Sequence, residues 1–262
     1  MDLGIDEKKA LVTGGCNGIG SQITLDLISE GCYVTATTRS KESAMNFLNS
    51  LNKEAKEKFN YLIVELSEKN YLLEFLENNK FEYDILINNA GHTLNFKNPD
   101  STFEEWEKIL TLNFLSIVKL NDACIPYMRK NKWGRIVNIT SCAGFENSGP
   151  VTYTCSKAAL TAYTRTMGRI LASESPGIVM TAVYPGVIKT KGGHWEKVLR
   201  EDPSHADKYL SERCPLKRFG ETEEFTPSVV FFCSQQASFA HGTIIGLDGG
   251  QSRHFLHANY EP

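Results

Sequence analysis

The chain of 262 residues carries a formal net charge of −3, with 41% hydrophobic and 23% charged residues. This length accommodates one α/β domain with a large core, and the composition is typical of a soluble globular protein. The small net charge and the lack of a long basic run disfavour nucleic acid and anionic membranes as partners. We expect a cytoplasmic protein, because neither a signal peptide nor an apolar run of membrane-spanning length stands out.

Short apolar, β-branched runs alternate along the chain with longer stretches of helical spacing. The predicted strands are 10–13, 33–37, 61–65, 85–88, 135–140, 178–184 and 243–247. The predicted helices are 18–30, 41–57, 67–78, 102–130, 150–174 and 221–235. This alternation indicates a parallel sheet covered by helices on both faces. Since no linker divides the chain, we expect residues 1–262 to form one domain.

The segment 189–220 departs from this rhythm, because it is rich in charged residues and contains no predicted strand. It follows a strand late in the chain, so we interpret it as a substrate loop or lid. Its basic side chains are Lys189, Lys191, His194, Lys197, Arg200, Arg213, Lys217 and Arg218. They suggest an anionic substrate, such as a phosphorylated or nucleotide-linked sugar or an acyl-carrier-protein thioester. The interleaved Glu196, Glu201, Asp202, Asp207 and Glu212 make an ion-paired, solvated surface an equal alternative.

The seven cysteines are scattered and include no Cys-x-x-Cys pair, which favours reduced thiols over disulfides or a zinc site. The six histidines form no ligand-like cluster; His254 and His257, in a polar tail, are interpreted as solvated. We therefore predict no metal site. Cys16 raises the alternative of a redox switch, although packing is the favoured role for a small buried thiol.

A glycine-rich turn follows the first predicted strand and opens the first predicted helix. Its sequence is Thr13-Gly-Gly-Cys-Asn-Gly-Ile-Gly20. Glycines allow the tight turn and let the main chain approach a pyrophosphate, whose charge is met by the helix N-terminus. Strand, turn and helix in this order predict a dinucleotide site.

The spacing of Gly14, Gly18 and Gly20 resembles the Thr-Gly-x-x-x-Gly-x-Gly loop of the classical short-chain dehydrogenase/reductase family. Further motifs continue the resemblance almost end to end, in the family's order: Asn88-Asn-Ala-Gly91, Asn113, Ser141, Tyr153 with Lys157, Pro185-Gly186 with Thr190, and Leu247-Asp-Gly-Gly250. The chain is similar to 3-oxoacyl-carrier-protein reductase-like and sugar or polyol dehydrogenase-like members. The resemblance implies a doubly wound Rossmann fold, with a seven-stranded parallel sheet of order 3-2-1-4-5-6-7. It also implies a homotetramer built through the helices 102–130 and 150–174.

The resemblance identifies Asn113, Ser141, Tyr153 and Lys157 as catalytic residues. Tyr153 is the only one of ten tyrosines with a lysine four residues later, on the same helical face. An adjacent ammonium is expected to lower the tyrosine pKa from about 10, which suits acid/base catalysis. The Ser141 hydroxyl, favoured over its neighbour Thr140, would hydrogen-bond the substrate oxygen.

The resemblance further implies that Asn113 anchors a water through which Lys157 returns a proton to Tyr153. From the residue alone, Asn113 is a buried amide that satisfies backbone groups.

The second predicted strand ends in Thr37-Thr-Arg39, without the acidic residue that would bind an adenosine 2′-hydroxyl. Arg39 could pair with a 2′-phosphate, so we predict NADP(H), with NAD(H) as the alternative. Asn17 stands where many NADP(H)-dependent relatives carry a basic residue, and Glu65 replaces the usual Asp near the adenine. The predicted cofactor-binding residues are Gly14, Asn17, Gly18, Ile19, Gly20, Thr38, Arg39, Glu65, Leu66, Asn89, Ala90, Gly91, Tyr153, Lys157, Pro185, Gly186, Ile188 and Thr190.

These features predict an oxidoreductase that interconverts a ketone and a secondary alcohol on a polar small molecule, such as a keto-sugar or sugar derivative, and the basic lid suggests an anionic one. The direction of the reaction stays open. The alternatives are a 3-oxoacyl-carrier-protein reductase and, in another class, a nucleotide-binding regulator without turnover. The polar lid, with Trp195 as its main aromatic residue, makes a steroid the least favoured substrate.

Overall fold

The computed structural model describes residues 1–96, 99–146 and 149–252. Its centre is a parallel sheet of seven strands in the order β3-β2-β1-β4-β5-β6-β7. The strands are β1 Lys9–Val12, β2 Tyr33–Thr38, β3 Phe59–Ile63, β4 Ile85–Asn88, β5 Gly134–Ile139, β6 Ile178–Pro185 and β7 Ile244–Leu247. This order confirms the predicted doubly wound α/β fold. The strand order reverses between β1 and β4, where a crevice opens at the carboxyl ends of the strands.

Ten α-helices occupy the described part of the chain. They are α1 Gly18–Ser29, α2 Lys41–Ser50, α3 Lys53–Glu57, α4 Lys69–Asn78, α5 Phe103–Leu110, α6 Ser116–Asn131, α7 Val151–Glu174, α8 His194–Glu201, α9 Pro203–Arg213 and α10 Thr222–Phe232. A π-helical turn, Thr111–Leu115, joins α5 to α6.

Two hydrophobic clusters cover the two faces of the sheet. Within β1, Ala10 and Val12 belong to one cluster and Leu11 to the other, because successive strand residues point to opposite faces. The first cluster also takes residues of α1 and α10, and the second takes residues of α6 and α7. Helices packed on both faces explain why the central strands β1, β4, β5 and β6 are almost wholly buried.

Several predicted elements differ from those observed. The third strand runs from Phe59 to Ile63, two residues before the prediction, because Phe59 pairs with Val34 of β2. The predicted helix 41–57 is two helices, since Asn52 caps a new helix through its side chain. The predicted helix 102–130 contains the π-helical turn. The segment 189–220 is largely helical, formed by α8 and α9.

The stretch Phe103–Asn131 is long and apolar enough to cross a membrane, with a mean hydropathy of 1.2. The stretch is not an uninterrupted apolar run, because polar and charged residues such as Asn113, Lys119 and Asp122 interrupt it. Over half of the apolar window, 56%, is buried within the protein. Its residues Leu120, Cys124 and Met128 belong to the second hydrophobic cluster, so this stretch packs as a core helix of the domain.

Candidate active site

The glycine-rich loop leads from β1 into α1 and forms the floor of the crevice. A Cβ atom on Gly20 would lie 2.2 Å from the carbonyl oxygen of Gly14, so the loop needs glycine there. Asn17 caps α1 without a side-chain hydrogen bond to the helix. The first backbone N–H groups of α1 are thus left for an anion, as a pyrophosphate site requires.

Side chains from β1 and from the end of β4 hold this loop in place. The Thr13 hydroxyl accepts hydrogen bonds from the backbone N–H groups of Asn89 and Ala90, at 3.0 and 2.9 Å. The Asn89 amide in turn donates to the carbonyl oxygen of Thr13 at 2.9 Å. The two strands at which the sheet order reverses are therefore locked together beside the crevice.

A cleft of about 580 Å³ runs along the carboxyl ends of the strands, and we call it the cofactor cleft. Most of the predicted cofactor-binding residues line it: Gly14, Asn17, Gly18, Ile19, Gly20, Thr38, Arg39, Glu65, Leu66, Asn89, Ala90, Gly91, Tyr153, Lys157, Pro185 and Thr190. The sequence thus predicted a dispersed set of residues that the fold collects along one groove.

Gly186 and Ile188 belong to the predicted set but are not among the residues that line the cofactor cleft, so their role at the cofactor stays a prediction. After Pro185 the chain turns toward β7, and the Gly186 N–H donates to the carbonyl oxygen of Leu247 at 3.1 Å. Ile188 forms a β-bridge with Gly220 and lines a separate cavity. These backbone pairings place Gly186 beside β7 and Ile188 beside Gly220.

The sequence interpretation missed several residues of the cofactor cleft, among them Thr37, His92, Lys191 and His194. The Thr37 hydroxyl accepts from the Gly14 N–H at 3.3 Å, which ties β2 to the glycine-rich loop. His92 directly follows a predicted binding glycine, so its position in the sequence was a signal. His194 opens α8, and no local pattern indicated that it would reach this cleft.

At one end of the cofactor cleft, β2 ends at Thr38, and Arg39 follows it. Arg39 is largely exposed, and its guanidinium lies 3.9 Å from a carboxylate oxygen of Glu65. The other Glu65 oxygen accepts hydrogen bonds from the N–H and hydroxyl of Ser67. This end therefore offers one exposed guanidinium and no acidic residue at the end of β2.

Ser141, Tyr153 and Lys157 lie together at the other end of the cofactor cleft. Ser141 follows β5, and its hydroxyl hydrogen-bonds Tyr153. Lys157 is buried, and its ammonium donates to the carbonyl oxygen of Ile139 at 2.9 Å. The same ammonium lies 5.8 Å from the centre of the Tyr153 ring. The predicted pairing on one face of α7 is thus observed.

Burial shifts both titrating groups away from their charged forms. It raises the pKa of Tyr153 to about 12, partly offset by the hydrogen bond from Ser141. It lowers the pKa of Lys157 to about 8. The expected lowering of the tyrosine pKa by the ammonium was therefore wrong for the protein without cofactor. For Tyr153, loss of solvation outweighs the opposing hydrogen bond from Ser141.

Asn113 lies in the π-helical turn and is completely buried. Its amide oxygen accepts from the His92 N–H, while its NH₂ group donates to the carbonyl oxygens of His92 and Ile109, all at 3.0–3.1 Å. A Cβ atom on Gly91 would meet both Asn113 and Lys157. Asn113 thus satisfies backbone groups, as expected from the residue alone, and fixes the loop beside Lys157.

A second cleft, of about 610 Å³, opens beside the first, and we call it the substrate cleft. It shares Thr140, Tyr153, Pro185 and His194 with the cofactor cleft. Its other lining residues include Ser141, Trp195, His205, Lys208, Tyr209, Glu212, Arg213 and Gln251. Tyr153 therefore stands where the two clefts meet, and α8 and α9 form the outer wall of the second.

Four of the eight basic side chains predicted to characterise the segment 189–220 are engaged with carboxylates. The pairs are Lys189–Glu221 at 2.8 Å, Lys197–Glu201 at 3.8 Å, Arg200–Glu201 at 3.2 Å and Arg218–Glu224 at 2.7 Å. They support the ion-paired alternative for this surface. Of the predicted basic set, only His194 and Arg213 line the substrate cleft.

Cys16 lies within the glycine-rich loop and is buried, and burial raises the pKa of its thiol to about 11. Its reactive thiolate form is therefore disfavoured, which weakens the redox-switch alternative. Within residues 1–96, 99–146 and 149–252, no three His, Cys, Asp or Glu side chains cluster as metal ligands.

Comparison with known proteins agrees with this geometry. The family model for short chain dehydrogenases matches residues 8–197. The chain belongs to this family and is an oxidoreductase of the dehydrogenase/reductase type.

Among curated relatives, it is 32% identical over 253 residues to a 3-oxoacyl-[acyl-carrier-protein] reductase of Thermotoga maritima. The alignment covers 94% of this chain and 98% of the relative.

Two solved structures illustrate the similarity in fold. One is L-sorbose reductase from Gluconobacter frateurii complexed with NADPH and L-sorbose, with a TM-score of 0.83 and 26% identity over 96% of this chain and 98% of the other. The second is a 3-oxoacyl (acyl-carrier-protein) reductase from Agrobacterium tumefaciens with NADP bound. It has a TM-score of 0.83 and 26% identity, covering 95% of each chain.

Proposed function

We propose that this protein is an NADP(H)-dependent oxidoreductase that interconverts a ketone and a secondary alcohol on a small polar substrate. One observation carries the proposal: Tyr153, hydrogen-bonded by Ser141, stands at the junction of the cofactor and substrate clefts. A carbonyl placed in the substrate cleft can therefore reach both a proton donor and the neighbouring cofactor site.

In the reduction, the bound cofactor supplies a hydride to the carbonyl carbon. Tyr153 donates its phenolic proton to the carbonyl oxygen, and the Ser141 hydroxyl stabilises the charge that develops there. Burial keeps Tyr153 protonated at neutral pH, which suits its role as the acid. In the oxidation, Tyr153 accepts the alcohol proton, and a raised pKa opposes the phenolate that this step requires.

Lys157 and Asn113 assist Tyr153 without donating the proton themselves. We assign to the Lys157 ammonium the hydrogen bonds to the nicotinamide ribose and the stabilisation of the Tyr153 phenolate. Asn113 holds the backbone around His92, which keeps the loop at Gly91 against Lys157. The water relay from Lys157 to Tyr153 through Asn113 stays a prediction.

The residues of the cofactor cleft fit a phosphorylated dinucleotide. The open N–H groups of α1 suit the pyrophosphate, and the exposed Arg39 guanidinium suits a 2′-phosphate. The Thr140 hydroxyl is buried in the cleft wall and has no hydrogen-bond partner within residues 1–96, 99–146 and 149–252, as expected of a group that meets a ligand. The NADPH and NADP complexes of the two similar structures support the same choice, with NAD(H) as the alternative.

The substrate cleft favours a polar keto-sugar or related molecule, because charged and hydrogen-bonding side chains form its outer wall. The similar L-sorbose reductase acts on such a compound. A 3-oxoacyl-carrier-protein reductase is the second candidate, supported by the Thermotoga maritima relative. We assign residues 189–220 as the substrate loop, since α8 and α9 cover this cleft.

We also propose a homotetramer, as family membership suggests. Apolar side chains remain exposed on the helices expected to form its interfaces. They are Phe103 on α5, Leu115 in the π-helical turn, and Val151 and Ile170 on α7. Light scattering coupled to size exclusion tests the assembly, and a monomer at micromolar concentration would contradict it.

The function is tested by measuring NADPH and NADH oxidation against a panel of keto-sugars, sugar phosphates and 3-oxoacyl thioesters. Tyr153→Phe should lower kcat by about 10²–10⁴-fold while NADPH binding persists, because only the acid is removed. Tyr71→Phe, at an exposed tyrosine, is the matched control and should leave kcat unchanged. Full activity of Tyr153→Phe would refute the mechanism, and NADPH binding without turnover of any ketone would favour a regulator.

A further inference from the structure

The outer wall of the substrate cleft contains a buried hydrogen-bond acceptor without a partner. Gln251 is 7% exposed, and its NH₂ group donates to the Tyr209 hydroxyl at 2.9 Å. Its amide oxygen has no hydrogen-bond partner among the residues that the structure describes. Since burying an unpaired acceptor is costly, this oxygen is placed to meet a donor on a ligand, such as a hydroxyl group.

Arg213 lies one helical turn after Tyr209 on α9 and lines the same cleft. Its guanidinium carbon is 5.5 Å from the centre of the Tyr209 ring. Within the residues that the structure describes, no carboxylate lies within 4.0 Å of this guanidinium, unlike the paired cations elsewhere on residues 189–220. Arg213 is therefore available to an anionic ligand.

The Tyr209 hydroxyl connects these two groups. It accepts a hydrogen bond from Gln251 and lies beside the Arg213 guanidinium, which leaves its own proton for a ligand oxygen. The Trp195 ring packs against Tyr209, with their centres 4.6 Å apart, and half-buries it. Gln251, Tyr209 and Arg213 thus form a connected set on the wall of the substrate cleft, which we call the anion end.

The charge of the cleft favours a monoanion. Lys208 and Glu212 both line the cleft, and their opposite charges cancel because the two groups pair at 3.9 Å. Arg213 therefore supplies the excess positive charge of the cleft. The planar guanidinium fork matches the two oxygens of a carboxylate. One excess charge neutralises a carboxylate but leaves a phosphate dianion partly uncompensated.

We propose that the substrate is a hydroxylated keto acid, such as an oxo sugar acid, held by its carboxylate at Arg213 and Tyr209. One of its hydroxyl groups donates to the amide oxygen of Gln251, and its ketone meets Tyr153 and Ser141. The inference rests on the proposed function, since it assigns the substrate class of the same site. A long acyl thioester would leave the Gln251 acceptor unpaired.

The test compares L-sorbose with 5-keto-D-gluconate, which differ only in that a terminal hydroxymethyl group of the ketose is a carboxylate. We expect kcat/KM to be at least about 10-fold higher for the keto acid. Arg213→Gln should abolish this preference by raising KM for the keto acid about 10–100-fold, with kcat little changed. Arg200→Gln, at an exposed arginine of α8, is the matched control and should retain the preference.

A binding measurement keeps the inference separate from turnover. D-gluconate should bind the wild-type protein more tightly than sorbitol in calorimetry, and Arg213→Gln should remove the difference. Gluconate binding without ketone reduction would contradict the proposed function but would still support carboxylate binding at the anion end. Three outcomes would overturn the keto-acid assignment. The first is reduction of both ketones with equal kcat/KM, and the second is a preference for the keto acid that is unchanged in Arg213→Gln. The third is tighter binding of fructose 6-phosphate than of 5-keto-D-gluconate.

Discussion

The Lys157 ammonium donates a hydrogen bond to the backbone carbonyl of Ile139 at 2.9 Å. This contact anchors α7 to the end of β5, directly beside the strand end that carries Ser141. Lys157 is 2% exposed and has no carboxylate partner within 4.0 Å among the described residues. Its charge is therefore retained at a cost in stability, as is common where a site needs a buried charged group.

Replacing this lysine by methionine should stabilise the protein while abolishing turnover. Burial lowers the Lys157 pKa from 10.5 to about 8, which corresponds to about 3 kcal/mol below pH 8. The lost hydrogen bond to Ile139 offsets about 1 kcal/mol of this, so Lys157→Met should gain about 2 kcal/mol in free energy of unfolding at pH 7. Urea unfolding measures the difference.

The gain should depend on pH in a defined direction. Because the folded-state pKa is the lower one, the unfolded chain binds the proton more tightly, and the cost to wild type fades between pH 8 and 10.5. The advantage of Lys157→Met should therefore shrink over this range. Lys119→Met, at an exposed lysine, should show no such trend, and a pH-independent gain for Lys157→Met would contradict the argument.

Asn113→Leu should destabilise the protein by about 3 kcal/mol, because it removes three buried hydrogen bonds to backbone groups of His92 and Ile109. It should also lower kcat, since the loop at Gly91 packs against Lys157. Urea unfolding and steady-state kinetics measure the two effects. Asn49→Leu, at an exposed position, is the control, and an unchanged free energy of unfolding in Asn113→Leu would argue against this role.

Two glycines of the phosphate loop should respond differently to alanine. Gly18 has φ +54° with its nearest neighbours 3.7 Å from an added Cβ, so Gly18→Ala should cost about 1 kcal/mol of backbone strain. In Gly20→Ala the Cβ would collide with the Gly14 carbonyl oxygen at 2.2 Å, and the loop must move. NADPH fluorescence titration should show a loss of about 10-fold or more for Gly20→Ala. A smaller loss than for Gly18→Ala would be inconsistent with the loop geometry.

Arg39 should set the preference for NADP(H). Arg39→Ala should raise the KM for NADPH about 10–100-fold, as expected for a lost charge-assisted hydrogen bond to phosphate, and leave the KM for NADH nearly unchanged. The NADPH interaction should weaken with salt, because the guanidinium is exposed. Arg169→Ala, at a surface arginine, should affect neither cofactor. Equal losses for NADPH and NADH in Arg39→Ala would place the 2′-phosphate elsewhere.

The sequence by itself determined the parts of the site that depend on near neighbours in the chain. A strand, a glycine-rich turn and a helix in succession define the phosphate loop, since backbone angles and helix N-termini are local properties. The spacing of Tyr153 and Lys157 places both on one face of α7 for the same reason. The parallel sheet followed from the alternation of apolar runs with helical periods, although the third strand was displaced by its pairing with β2.

Tertiary structure alone decided the rest. The pKa shifts of Tyr153 and Lys157 depend on how completely distant segments exclude water, so the expected direction for Tyr153 was wrong. Gly186 donates to Leu247 of β7 and Ile188 forms a β-bridge with Gly220, and both are contacts between segments distant in the chain. Arg213 and Gln251 lie far from Tyr153 in the chain. They line the same cleft as Tyr153 because α9 and the segment after β7 pack beside it. The spacing of residues in the sequence does not show which distant segments pack together or how far they exclude water.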